Sequence, residues 1–140
     1  TIHDSNGLPG WSITNGSVDT VRTTFYPSHS GTQSLDLDGG APGTIQQTFA
    51  TVPGEQYRLN FAYANTPTGS SSTGSVAVIG STVLHSANLM HSDSTFTNMN
   101  YTIYNAIFTA DSASTTLRFV GGPSGSSIGI TLDSVSVVKA

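Results

Sequence analysis

Apolar residues recur along this chain at every second position in short runs, and no window carries the three-to-four spacing of an amphipathic helix. The clearest run is Tyr57-Arg58-Leu59-Asn60-Phe61-Ala62-Tyr63. A strand sends alternate side chains to opposite faces, so Tyr57, Leu59, Phe61 and Tyr63 point into a core while Arg58, Asn60 and Ala62 point out. Ser34-Leu35-Asp36-Leu37-Asp38 alternates in the same way. Leu35 and Leu37 take one face and Asp36 and Asp38, about 7 Å apart, the other, before Gly39 and Gly40 end the run. Further strand signals cover 11–14, 17–21, 44–49, 75–79, 82–85, 100–109, 115–120 and 131–138, separated by Gly, Pro, Asn and Ser clusters. Asn15-Gly16 predicts a tight hairpin turn between the first two. Residues 86–98 are poorly patterned and read as a polar loop with a helical turn or a short strand, while 65–74 and 121–125 read as loops. Many short strands without helices, about nine or ten of them, must cover two inner faces, which predicts an all-β, antiparallel β-sandwich of jelly-roll type. One domain over 1–140 accommodates it.

Composition narrows the function classes. Charged residues make up 9% of the chain, and four Lys and Arg stand against eight Asp and Glu. Without a basic cluster, nucleic acid is a poor partner. The chain has no cysteine, which excludes a disulfide framework and a thiolate-bound metal. The texture, rich in Ser, Thr, Gly and Asn, is that of a secreted or cell-surface β protein. No apolar run reaches the length of a membrane span or a signal segment, so the chain reads as a mature product or an excised domain.

Few residues carry chemistry. Alternation in the last run places Asp133 on the same side as Val135 and Val137, a buried side, where a carboxylate needs a cation or several N–H donors. Calcium binds oxygen ligands of this kind. Asp36 or Asp38, with Asp4 and Asn6, are the candidate partners in a staple between early and last strands. The competing reading has Asp133 capping backbone amides while Asp36 and Asp38 face water. In 101–108 the period sends Tyr104, Ala106 and Phe108 inward and Tyr101, Ile103, Asn105 and Ile107 outward. If that strand neighbours the Arg58-Asn60 strand, one open face presents Arg58, Asn60, Tyr101 and Asn105, planar donors beside an aromatic platform suited to a sugar. Against this, Ile103 and Ile107 are equally suited to lie under a loop or in a subunit contact. Trp11, at the start of a strand, reads as core more readily than as a sugar platform. His3, His29, His85 and His91 lack zinc-ligand spacing and read as solvated loop or strand-end residues. As strand neighbours facing water, Asp36 and Asp38 make a poor acid and base, and no nucleophile elbow or phosphate loop is present. The chain therefore reads as a non-enzyme.

The ordered series Pro9-Gly10-Trp11, Asn15 to Asp19, Gly31 to Gly39, Gln47-Thr48-Phe49, Pro53-Gly54 with Tyr57, Phe108-Thr109-Ala110 and Leu132 to Val137 resembles the choice-of-anchor C family and the related plant cell-wall domain-of-unknown-function family. The resemblance implies a galactose-binding-like jelly roll akin to many carbohydrate-binding modules, secretion, polysaccharide binding and a structural calcium near the termini. The sequence departs from that pattern at Tyr101, where Trp is frequent, and at Ser134, where Asn is usual. The expectation is a secreted module that binds cell-wall or extracellular polysaccharide through Arg58, Asn60, Tyr101 and Asn105. Calcium on Asp36, Asp38 and Asp133 is a secondary expectation. A structural or adhesive subunit that self-assembles by strand addition is the rival.

Overall fold

The computed structural model describes residues 8, 10–122 and 128–140. These form ten strands: β1 (Ser12–Asn15), β2 (Asp19–Arg22), β3 (Gln33–Asp36), β4 (Thr44–Ala50), β5 (Gln56–Asn65), β6 (Ser72–Ile79), β7 (Val83–His91), β8 (Thr102–Thr109), β9 (Ser114–Gly121) and β10 (Ile130–Lys139). They build two five-stranded sheets, ordered β1-β4-β9-β6-β7 and β2-β3-β10-β5-β8, with antiparallel pairing between neighbours. The expected all-β sandwich is the fold.

The core follows from the alternation in β5. Leu59 and Phe61 are fully buried, and Phe61 stacks on Tyr104 at 4.9 Å while meeting the edge of Phe119 at 5.0 Å. Leu37, Ile45, Val76, Val78, Leu117 and Ile130 close around them. Each such side chain taken from water contributes about 1.5–3 kcal/mol, and this burial holds the two sheets together. A second, smaller core lies on the outer side of the second sheet. There Val21, Tyr26, Ala64 and Met99 pack with Tyr101, and the buried Tyr26 hydroxyl shares a hydrogen bond with Thr131 Oγ1 at 2.9 Å. The segments 23–32 and 92–101 thus roof half of that sheet and leave its other half open.

Two sequence expectations change, and of the alternatives for 86–98 the strand holds. Asn15-Gly16 is not a hairpin turn: β1 pairs with β4 and β2 with β3, so the dipeptide carries the chain from one sheet to the other. Gly16 has φ 59°, and a Cβ there would run into the Pro42 carbonyl, so a close backbone approach explains the glycine. The poorly patterned stretch contributes to β7, which reaches His91 in register with β6. In β10, Asp133 pairs with Ala62 but Ser136 with Asn60, a bulge centred on Ser134 at φ 56°. The extra residue reverses the alternation, so Asp133 faces outward while Val137 faces the core opposite Leu59.

Candidate functional site

The open half of the second sheet is set out by register. β5 pairs with β8 so that Arg58 lies opposite Ile107, Asn60 opposite Asn105 and Ala62 opposite Ile103. On the other side of β5, Val138 lies opposite Arg58 and Ser136 opposite Asn60. Two rows therefore cross three strands, Val138-Arg58-Ile107 and Ser136-Asn60-Asn105. The Asn60 amide donates to Asn105 Oδ1 at 2.8 Å, which orients both side chains and leaves Asn60 Oδ1 and the Asn105 amide group directed to solvent. Ile103, Ile107 and Val138 are about half exposed, at 47%, 49% and 55%. The face is thus a mixture of planar hydrogen-bonding groups, one guanidinium and aliphatic ledges.

Arg58, Asn60 and Asn105 share a face as the alternation requires, but Tyr101 stands differently. It precedes β8, is partly buried, and its hydroxyl donates to the Pro27 carbonyl at 2.9 Å. Loss of solvent pushes its phenol up to about 12, and the His29 ring meets it edge-on at 5.6 Å. Tyr101 is therefore a supporting wall beside the open face and not a free platform. His29 Nδ1 lies 2.9 Å from Ser134 Oγ, Ser30 Oγ is 2.9 Å from the same hydroxyl, and the Ser30 amide donates to Asp133 Oδ2 at 2.9 Å. The bulge that turned Asp133 outward thereby anchors the 23–32 segment against the sheet.

The three carboxylates expected to hold calcium do not converge into a ligand set. Among the described residues no group of three or more His, Cys, Asp or Glu stands where it could hold a metal ion. Asp4 and Asn6, the further candidates, lie outside the described residues, as does His3. Asp133 accepts the Ser30 and Ser134 amides, which is the capping role. Asp36 and Asp38 do not face water: they are 2% and 0% exposed, Asp36 beside Tyr26 of the 23–32 segment and Asp38 enclosed by Gly121 and Gly129. Asp36 Oδ1 accepts the Asp38 and Gly129 amides at 2.9 and 3.0 Å, and Thr66 Oγ1 lies 3.4 Å from Oδ2. Burial pushes Asp36 up to about 7; the Asp38 and Asp19 carboxylates add to the rise, and the two amides oppose it.

His29 is an exposed loop residue as expected, whereas His85 and His91 are not solvated. His91 is buried, with Nε2 2.7 Å from the Asn100 carbonyl, and His85 Nε2 is bonded to the Tyr104 hydroxyl at 2.5 Å. Both are structural pins between β7 and the β8 region. Trp11 is partly buried against Phe119 at 6.0 Å, as the core reading has it, and borders a cleft of about 540 Å³ between the sheets with Leu35, Phe49, Val135, Val137, Gln33 and Gln47. Alternation alone did not reveal two exposed aromatic rings, Phe25 and Phe96, which meet edge to face at 5.7 Å, Phe25 also lying against Tyr26. Both sit in polar loops, where no period marks them.

Residues 1–138 match the model of a protein family described as a protein of unknown function, DUF642. The chain belongs to that family. Halomucin of Haloquadratum walsbyi is 29% identical over 143 residues, which cover 99% of this chain and 2% of that protein. The chain therefore spans a small fraction of that curated relative. Among solved structures, a family 61 carbohydrate-binding module in complex with β-1,4-galactotriose superposes with a TM-score of 0.67 at 12% identity, covering 99% of this chain and 95% of that one. A family 35 carbohydrate-binding module from Clostridium thermocellum gives 0.62 at 17% identity, covering 100% and 98%. A family 16 module gives 0.65 at 17% identity, covering 99% and 98%. At these identities the likeness establishes the fold: this DUF642 domain is a galactose-binding-like jelly roll.

Proposed function

We propose that this DUF642 domain is a non-catalytic carbohydrate-binding module that acts outside the cell on cell-wall or matrix polysaccharide. The observation that carries the reading is the open half-face, where Arg58, the paired Asn60 and Asn105, and Ser136 present directional donors and acceptors between aliphatic ledges. Sugars offer hydroxyls at fixed spacing and apolar C–H faces, and such a surface answers both. The likeness to carbohydrate-binding modules supports the reading, and the low charge and abundant Ser and Thr suit an extracellular domain. A shallow face of this kind binds weakly, with affinity raised when several copies are tethered. Asp36 and Asp38, the carboxylate pair weighed for glycosidase work, are buried, and Asp36 is bonded to backbone amides within the fold. Affinity electrophoresis against a polysaccharide panel tests the proposal. At least one glycan retards the native domain and retards Arg58→Ala less; a panel with no retardation overturns the reading.

A second reading rests on the same face. Ile103, Ile107 and Val138 are exposed together, and an adhesive subunit would bury them against a neighbouring copy. Light scattering separates the two: a monomer across the accessible concentration range excludes assembly through this face.

A further inference from the structure

Among the described residues the half-face lacks a free aromatic ring, because Tyr101 is committed to Pro27 and His29. Phe25 and Phe96 supply one elsewhere on the loops that roof the same sheet. They are 57% and 46% exposed, although each comes from a short, well-tied turn. The Phe25 amide donates to the Arg22 carbonyl at 2.9 Å, and its ring rests on Tyr26 at 5.4 Å, whose hydroxyl is bonded to Thr131 inside the small core. Phe96 lies in a turn closed by the Thr95 amide to the Asn98 carbonyl at 2.8 Å and the Asn98 amide to Thr95 Oγ1 at 3.0 Å. The two rings meet at 69°, so they form an angled apolar cradle, and the residues next to them in sequence, Thr23, Thr24, Thr97 and Asn98, are exposed.

Rings held on rigid roots and left in water mark a contact surface. Size decides what kind. Half-exposed Phe side chains present on the order of 100 Å² each, so the pair offers about 200 Å², against the roughly 800 Å² per partner that a stable protein interface buries. One or two sugar rings match the smaller area, with C–H faces for the phenyl rings and hydroxyls for the neighbouring threonines and asparagine. Resting on the carbohydrate reading above, we propose that Phe25 and Phe96 form a stacking subsite for a neutral pyranose unit of the bound glycan.

The test uses the whole domain and the glycan that retards it most in the polysaccharide panel. Phe25→Ser with Phe96→Ser is expected to weaken binding about tenfold, the loss of roughly one stacked ring. The melting temperature stays within a few degrees, because little of either ring is in the core. Phe96→Ser alone gives a partial loss and guards against misfolding of the double variant, while Phe96→Trp keeps or improves affinity. A double variant that binds as tightly as the native domain overturns the subsite and leaves the carbohydrate function standing. A native domain that binds no glycan in the panel overturns both. If the substitutions abolish self-association without changing glycan affinity, the pair is a protein contact and the proposal fails.

Discussion

Replacing Asp36 by Asn tests how this fold tolerates a buried carboxylate. Asp36 rises from its ordinary 3.8 to about 7, chiefly because burial strips its water. The Asp38 and Asp19 carboxylates and the Tyr26 phenol face it. The native state therefore holds a proton that the unfolded chain has released. Stability from this group is fully present below about pH 4 and is lost as the pH climbs through 7, and the rise corresponds to about 4 kcal/mol at most. Asparagine keeps an oxygen for the Asp38 and Gly129 amides, which Oδ1 accepts, and removes the charge. Urea unfolding from pH 4 to 8.5 should then show the variant equal to the native domain at the acid end and about 2–4 kcal/mol more stable at the alkaline end. The difference between the two curves isolates Asp36 from other titrating groups. A variant less stable than the native domain at pH 8 would show the charge to be in use, as it would be by a bound cation, and would overturn the neutral Asp36.

Other outcomes follow from the same contacts. A chelator should leave the melting temperature unchanged, since Asp36 and Asp133 accept backbone amides; a fall of several degrees would restore the calcium staple. Tyr26→Phe loses a buried hydroxyl pairing with Thr131 and should cost about 1–2 kcal/mol in urea unfolding, so an unchanged midpoint would count against the small core. Gly16→Ala must place a methyl group against the Pro42 carbonyl at positive φ and should cost more than about 2 kcal/mol, measured by thermal unfolding.

The sandwich was legible because its strands bury one face each. Tyr57, Leu59, Phe61 and Tyr63 alternate without interruption, and β8 repeats the pattern with Tyr104, Ala106 and Phe108, so the pairing that brings Arg58, Asn60 and Asn105 together could be anticipated. Periodicity failed wherever a local irregularity or a distant segment intervened. One extra residue at Ser134 reversed Asp133, and a glycine chosen for close approach to Pro42 looked like a hairpin signal. Asp36 lies on the face that alternation assigns to solvent yet is buried beside Tyr26, and Asp38, past the end of β3, is enclosed by Gly121 and Gly129. Tyr101 is withdrawn by a carbonyl seventy-four positions earlier, a contact that no local pattern carries. Phe25 and Phe96 belong to loops, whose side chains follow hydrogen-bonded turns and have no period to read.

Amide NMR titration with a retained oligosaccharide reads out whether glycan binds on the outer side of the second sheet. Shifts in the Asn60 and Asn105 side-chain amides and the Arg58 Nε–H, saturating together, are the expected result. Saturable shifts confined to the Trp11 indole and the Gln33 and Gln47 amides of the inter-sheet cleft would contradict it, as would a spectrum that glycan leaves unchanged.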